Sequence, residues 1–125
     1  MTAGKAPTLT VLQDGTPLFT SFGKWLYPLM ELEAYLAAHP LPTEHLLLQD
    51  TIIGKAAALL IHRLGFRTVQ AGVLSRLAEV VLQRYGFAYT YEQLVERIHC
   101  QTEELLATVE DPEEAYQLVK GRAGR

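Results

Sequence analysis

Two short strand-like runs open the patterned part of the chain, Thr8 to Gln13 and Pro17 to Ser21. Asp14-Gly15 lies between them, and this dipeptide between two strand-like runs is a strong signal for a β-hairpin turn. Pro17 cannot donate a ladder hydrogen bond, so its strand begins at a sheet edge or at an unpaired position. The first element predicted is therefore a β-hairpin.

The apolar spacing then changes to that of a helix. The apolar stripe consists of Trp25, Leu26, Leu29, Met30, Leu32 and Leu36. Glu31 and Glu33 face away from this stripe, as on an amphipathic helix. The segment 39–42 ends the helix, because a proline disfavours helical geometry in the residue before it.

Three later apolar runs predict strands, each followed by a helical pattern. The strands are at 46–48, 67–73 and 87–91, and the helices are at 52–64, 75–85 and, more briefly, 91–98. Ser75 is the predicted cap of the second of these helices, Thr102 that of a further short helix, and Asp111-Pro112 begins the last one. The order β-β-α-β-α-β-α-β-α-α predicts one mixed sheet, with helices on both faces and its last three strands largely parallel.

Composition narrows the function classes. The 125 residues suit a single domain over 1–125 with an ordered core at about 8–120, and the net charge of −3 makes nucleic-acid binding an unlikely function. A single cysteine excludes an intramolecular disulfide, and no apolar run approaches the length of a membrane span. The N-terminus lacks the apolar core of a secretory signal, so we expect a cytoplasmic protein with no membrane association.

The segment 49–60 has the most unusual local chemistry. Gly54 and Lys55 fall in the opening turns of a predicted helix, where glycine is unfavourable and lysine opposes the helix dipole. A phosphate-binding loop is excluded, because Gln49 replaces the required glycine and Ala56 the required hydroxyl residue. Asp50 or Thr51 is expected to cap the helix, and for Asp50 capping and a functional role are equally plausible.

Lys55 is the leading candidate for chemistry in this segment. Near a helix start, the dipole and any burial would lower the pKa of its amine, which could then bind an anion, donate a proton or act as a nucleophile. The alternative is a solvated lysine, since most lysines are exposed.

Other candidates lie further along the chain. Gly72 and Ser75 mark a second strand-to-helix junction, which should lie at the same sheet edge as Asp50, although Ser75 is more simply a helix cap. Cys100 follows His99 and is a candidate nucleophile or metal ligand, with a buried or partly exposed thiol as the alternative. One cysteine without regularly spaced histidines makes a poor zinc site.

Four segments together resemble domain-of-unknown-function family 1893, which is assigned to the cytidine deaminase-like fold. They are Asp50 to Leu60, Ala71 to Ser75, Cys100-x-x-Glu103 and Glu110 to Tyr116. The resemblance implies a three-layer α-β-α sandwich with its pocket at the starts of the two central helices. Zinc deaminases carry His-x-Glu and Pro-Cys-x-x-Cys there, and the matching regions here have neither histidine nor cysteine. We therefore expect no metal and no cofactor. Residues 101 and 102 depart from the family, in which a proline and an apolar residue typically follow the position of Cys100.

Two functions follow as hypotheses. The first is binding of a small molecule, nucleotide- or nucleoside-like, with metal-independent catalysis left open. In it Asp50 and Lys55 form the polar centre. The remaining contributors are Thr51, Gly54, Gly72, Ser75, Cys100 and Glu103. The second is a non-catalytic regulatory or protein-interaction module on the same scaffold, forming a homo-oligomer or binding a partner protein.

Overall fold

A five-stranded mixed sheet organises the molecule. The computed structural model describes residues 6–98, 106 and 108–122. The strands are β1 (Leu9–Gln13), β2 (Thr16–Ser21), β3 (Leu47–Ile53), β4 (Thr68–Ser75) and β5 (Ala88–Val95). The helices are α1 (Tyr27–Ala38), α2 (Lys55–Arg63), α3 (Arg76–Arg84) and α4 (Pro112–Arg122), with a 3₁₀ turn at Thr43–His45.

The strand order is β2-β1-β3-β4-β5. β1 runs antiparallel to both β2 and β3, whereas β3, β4 and β5 are parallel to one another. Asp14 and Gly15 have φ values of +51° and +84°, the left-handed pair that a tight hairpin turn requires. The predicted hairpin, the mixed sheet and the α/β class are thus confirmed.

Helix α2 lies at the centre of the helical layer, and its first seven residues, Lys55 to Ile61, are all buried. The other three helices pack against it. The opposite face of the sheet exposes Gln49 and Gln70, whose amides are joined by a hydrogen bond of 2.8 Å. The described helices form a single layer, and a further layer on the opposite face stays a prediction.

Two predicted helix boundaries are wrong because strands continue through them. β3 extends past Asp50 to Ile53, since β-branched residues 51–53 suit a strand, and Ile52 and Ile53 pair with β4. Residues 91–95, predicted as the start of a short helix, complete β5 and pair with β4 as far as Ser75. At α1, the helix begins at Tyr27 because Pro28 suits the first turn of a helix, and Trp25 lies outside it.

Two predicted helix caps are confirmed. The Ser75 hydroxyl accepts a hydrogen bond from the backbone N–H of Ala78 at 3.1 Å. The Asp111 carboxylate accepts one from the backbone N–H of Glu114 at 2.8 Å, with Pro112 as the first residue of α4. Within the described ranges, no helix is long and apolar enough to cross a bilayer.

Candidate functional site

A pocket of about 340 Å³ opens between the segment 23–28, the end of β3 and the first turn of α2. We call it the Asp50 pocket; the lining residues used below are Lys24, Trp25, Asp50, Ile52, Gly54, Ala56 and Ala57. Alanines at 56 and 57 leave space that larger side chains on the first turn of α2 would fill. The pocket therefore arises where a strand end meets a helix start built from small residues.

Asp50 supplies the carboxyl group of this pocket. In the sheet it pairs with Leu9 of β1 on one side and Ala71 of β4 on the other, and both neighbours are buried. Its Oδ1 accepts a long hydrogen bond of 3.5 Å from the backbone N–H of Ile52. Burial raises the pKa of Asp50 to about 7, and the backbone hydrogen bonds offset only part of that rise. The carboxyl group can therefore gain or lose a proton near neutral pH.

Trp25 forms part of the pocket wall in an unusual backbone conformation. Its φ is +56°, in the left-handed region that bulky residues rarely adopt. The indole is 39 % exposed and packs edge-on against the ring of Tyr27, with 5.2 Å between ring centroids. Strain of this kind is concentrated at ligand-binding and catalytic sites.

Sequence reasoning missed Trp25 by assigning it to the apolar stripe of α1. The available signal was Pro28, which marks the first turn of the helix and leaves Trp25 in the preceding loop.

Gly54, not Asp50 or Thr51, occupies the N-cap position of α2, so the predicted capping is wrong. The reason is the continuation of β3, which keeps residues 50 and 51 in the sheet. Gly54 has an extended backbone, with φ −96°, and no side-chain hydrogen bond caps the helix. The first N–H groups of a helix have no intrahelical partner. The edge of the pocket formed by Gly54 and Ala56 is therefore lined by backbone hydrogen-bond donors.

Lys55 lies in an ion pair and is not one of the residues that line the Asp50 pocket. It is the first residue of α2 and only 3 % exposed, so the solvated alternative is wrong. Its Nζ donates a hydrogen bond to Oε2 of Glu110 at 2.8 Å, and Arg84 donates to the other oxygen of that carboxylate. The structure thus separates Lys55 from Asp50, with which it was expected to share a polar centre.

Gly72 permits a close approach between strands. A Cβ atom at this position would lie 2.6 Å from the carbonyl oxygen of Thr51, closer than real Cβ contacts allow. The expected close approach at Gly72 is therefore made by the protein's own backbone. Gly72 and Thr51 also line an open groove with Gln49 and Gln70. Ser75 is fully buried and caps α3, which assigns it a structural role.

Residues 4–122 match the model of the family described as TM1506, domain of unknown function (DUF1893). The chain belongs to this family. A solved relative is the crystal structure, at 2.70 Å resolution, of a DUF1893 family protein (TM1506) from Thermotoga maritima. It is 25 % identical and superposes with a TM-score of 0.81 over 93 % of this chain and 80 % of that one. No curated protein matches the chain.

Two predicted site residues, Cys100 and Glu103, and the predicted helix cap Thr102 lie outside the described residues. Their roles stay predictions. Ile98, at the border of that segment, lines the Asp50 pocket. Across the described parts of this DUF1893 protein, no three His, Cys, Asp or Glu side chains are grouped so that they could hold a metal ion.

Proposed function

We propose that the Asp50 pocket binds a small planar ligand of the nucleobase or nucleoside class. Trp25 would stack on the ring and Asp50 would make the polar contact. The observation that carries this proposal is the placement of a carboxyl group with a pKa of about 7 in a pocket whose wall includes a backbone-strained tryptophan. Perturbed pKa values and backbone strain are each enriched at functional sites.

The size and lining of the pocket support a ligand of this class. A volume of about 340 Å³ is near the lower end of the range typical of small-molecule sites, which suits a base or a nucleoside. Stacking on an aromatic side chain contributes about 1–3 kcal/mol per base. The nucleoside preference itself comes from the resemblance to the cytidine deaminase-like fold and is an analogy of fold.

Asp50 is also the group best suited to a chemical step, should the protein catalyse one. A general acid or base works best when its pKa is near the working pH. In that proposal Asp50 transfers the proton without a metal, and Lys55 has a structural role through Glu110.

The alternative function, a protein-interaction module, draws support from exposed apolar side chains. Phe22, Trp25 and Ile52 are 53 %, 39 % and 51 % exposed, and the latter two line the pocket. A partner or a second copy could cover them. Phe22 is not one of the pocket-lining residues, so Phe22→Ser should weaken protein association in light-scattering measurements and leave ligand binding unchanged.

Intrinsic fluorescence tests the proposed function, because Trp25 is the chain's single tryptophan. Titration with nucleobases and nucleosides should change its emission in a saturable manner, whereas ribose and cyclohexanol should not. Asp50→Leu should abolish the saturable change, and Val80→Ser, at an exposed position on α3, should preserve it. If no planar heterocycle changes the emission at millimolar concentration, the proposed function is wrong.

A further inference from the structure

The protonation state of Asp50 determines which ligands its carboxyl group can bind. An ionised carboxylate offers acceptors only, whereas the neutral acid offers one O–H donor beside one acceptor. An ionised carboxylate in apolar surroundings is costly unless several donors or a cation compensate it. The donors around Asp50 therefore indicate which form the pocket favours.

Compensation for an ionised Asp50 is sparse in the described part of the pocket. The backbone N–H of Ile52 approaches Oδ1 only to 3.5 Å, and the backbone N–H of Thr51, which also hydrogen-bonds the carboxylate, is shared with the carbonyl oxygen of Thr8 at 3.0 Å. Its neighbours in β1 and β4 are the apolar Leu9 and Ala71, and the lining residues at the start of α2 offer backbone N–H groups but no side-chain donor. Lys24 is the one other charged residue among the described residues that line the pocket, and Glu92 borders the open groove that Asp50 also lines; both are exposed to solvent.

We propose that Asp50 binds its ligand as the neutral carboxylic acid, and that the ligand presents a hydrogen-bond donor next to an acceptor, as the edge of a lactam or aminopyrimidine ring does. The acid donates one hydrogen bond to the ring carbonyl or ring nitrogen and accepts one from the ring or exocyclic N–H. This inference rests on the proposed function and specifies the ligand's chemistry. Ligands that offer two donors side by side, such as those with a guanidinium group, need the ionised carboxylate and are disfavoured.

The charge at the pocket disfavours a cationic ligand. Lys24 lies at the pocket and would repel a cationic ligand, although solvent screens its charge. The rise in the pKa of Asp50 produced by burial acts in the same direction, since it keeps a fraction of the acid protonated near neutral pH. Geometry and charge thus favour a donor–acceptor edge.

A matched pair of ligands provides the test. 1-Methyluracil has an N–H beside a carbonyl, and 1,3-dimethyluracil carries a methyl group in place of that hydrogen and so lacks the donor. The Trp25 fluorescence titration should show affinity at least about tenfold weaker for the dimethyl compound. For 1-methyluracil the affinity should fall by about tenfold per pH unit above about pH 7, because only the protonated fraction binds. These measurements are made below the pH at which the uracil N–H ionises, so that only Asp50 changes its protonation state.

Asp50→Asn is the decisive variant, because a carboxamide has a donor beside an acceptor and does not titrate. It should keep the affinity for 1-methyluracil within a few-fold and remove the pH dependence, whereas Asp50→Leu should lose binding. If Asp50→Asn abolishes binding, or if wild-type affinity rises with pH, the inference is overturned and the proposed function stands. If neither uracil compound nor any other planar heterocycle binds the wild-type protein, the proposed function fails and the inference fails with it.

Discussion

The Nζ atom of Lys55 lies 2.8 Å from Oε2 of Glu110, which is 55 residues further along the chain. The lysine is buried at the start of α2, and the carboxylate immediately precedes Asp111, the cap of α4. Because α2 and α4 pack closely, this pair ties the chain leading into the last helix to the centre of the helical layer. A lysine that locally resembles a catalytic residue is therefore buried in an ion pair between two packed helices.

Glu110→Gln should destabilise the protein by about 1–2 kcal/mol, because a buried ammonium group loses an ionic partner while Glu110 itself is half exposed. Lys55→Met, which removes the buried charge, should cost less. Urea unfolding should show that the double variant is no less stable than Lys55→Met alone. Additive losses would contradict the proposed coupling.

The same pair has a predictable pH dependence. The hydrogen bond from Lys55 lowers the pKa of Glu110 below its ordinary value of 4.5. A carboxylate whose pKa is lower in the folded state contributes stability that is complete above its ordinary pKa and is lost as the pH falls through the folded value. The stability difference between wild type and Glu110→Gln should therefore shrink below about pH 4.5. A difference independent of pH would contradict the ion pair.

Asp50 should affect stability in the opposite sense. Its pKa rises from 3.8 to about 7 in the folded protein, so the folded state binds more protons than the unfolded state between these values. The contribution of Asp50 to the free energy of unfolding should fall as the pH rises from about 4 to about 7, and stay constant above. Asp50→Asn should match wild type near pH 4 and be more stable by about 2–4 kcal/mol above pH 7.

Urea unfolding of wild type and Asp50→Asn across that pH range checks this prediction. The comparison between variants removes the contribution of all other carboxylates, which titrate in both. A stability difference that does not change with pH would show that burial does not perturb Asp50.

Gly72→Ala should destabilise the protein by about 1–3 kcal/mol, since its Cβ would meet the Thr51 carbonyl and force β3 and β4 apart. Gly121→Ala is the control, because Gly121 lies in α4 with nothing within 4 Å of an added Cβ. It should stabilise the protein by about 0.5–1 kcal/mol. Thermal unfolding of both variants measures these changes, and equal effects would exclude the steric explanation.

The left-handed conformation of Trp25 predicts an unusual order of stability. Trp25→Gly and Trp25→Ala both remove the indole, but only glycine adopts a φ of +56° without steric cost. The glycine variant should therefore be the more stable of the two by about 1 kcal/mol, the reverse of the usual order. If alanine is the more stable residue in chemical denaturation, position 25 is not strained.

The architecture could be predicted from local patterns because each signal involves neighbouring residues. Asp14-Gly15 specified the hairpin turn. Ser75 and Asp111 specified helix starts, because each side chain accepts a hydrogen bond from the backbone N–H three residues later. The start of α2 was mispredicted because Thr51 and Ile52 favour a strand, and pairing with β4 outweighed the helical signal.

The candidate site was predicted in part. Asp50 lines the pocket, as expected of the segment that contains it, but Lys55 binds Glu110 and not a shared centre. Glu110 lies 55 residues after Lys55, so the spacing of residues near Lys55 could not predict this ion pair. Trp25 was missed because its apolar character fits a helix stripe, while its place in the pocket wall depends on a backbone angle that the sequence pattern does not specify.

Nuclear magnetic resonance with ¹⁵N-labelled protein tests the central claim most directly, since the chain has a single indole N–H resonance, that of Trp25. On addition of 1-methyluracil, that resonance and the backbone amides of Gly54 and Ala56 should shift together and saturate. The amides of Gly86 and Gly121, which are not pocket-lining residues, should stay unchanged. Saturable shifts confined to residues outside the Asp50 pocket, or no shifts with any planar heterocycle, would contradict the account.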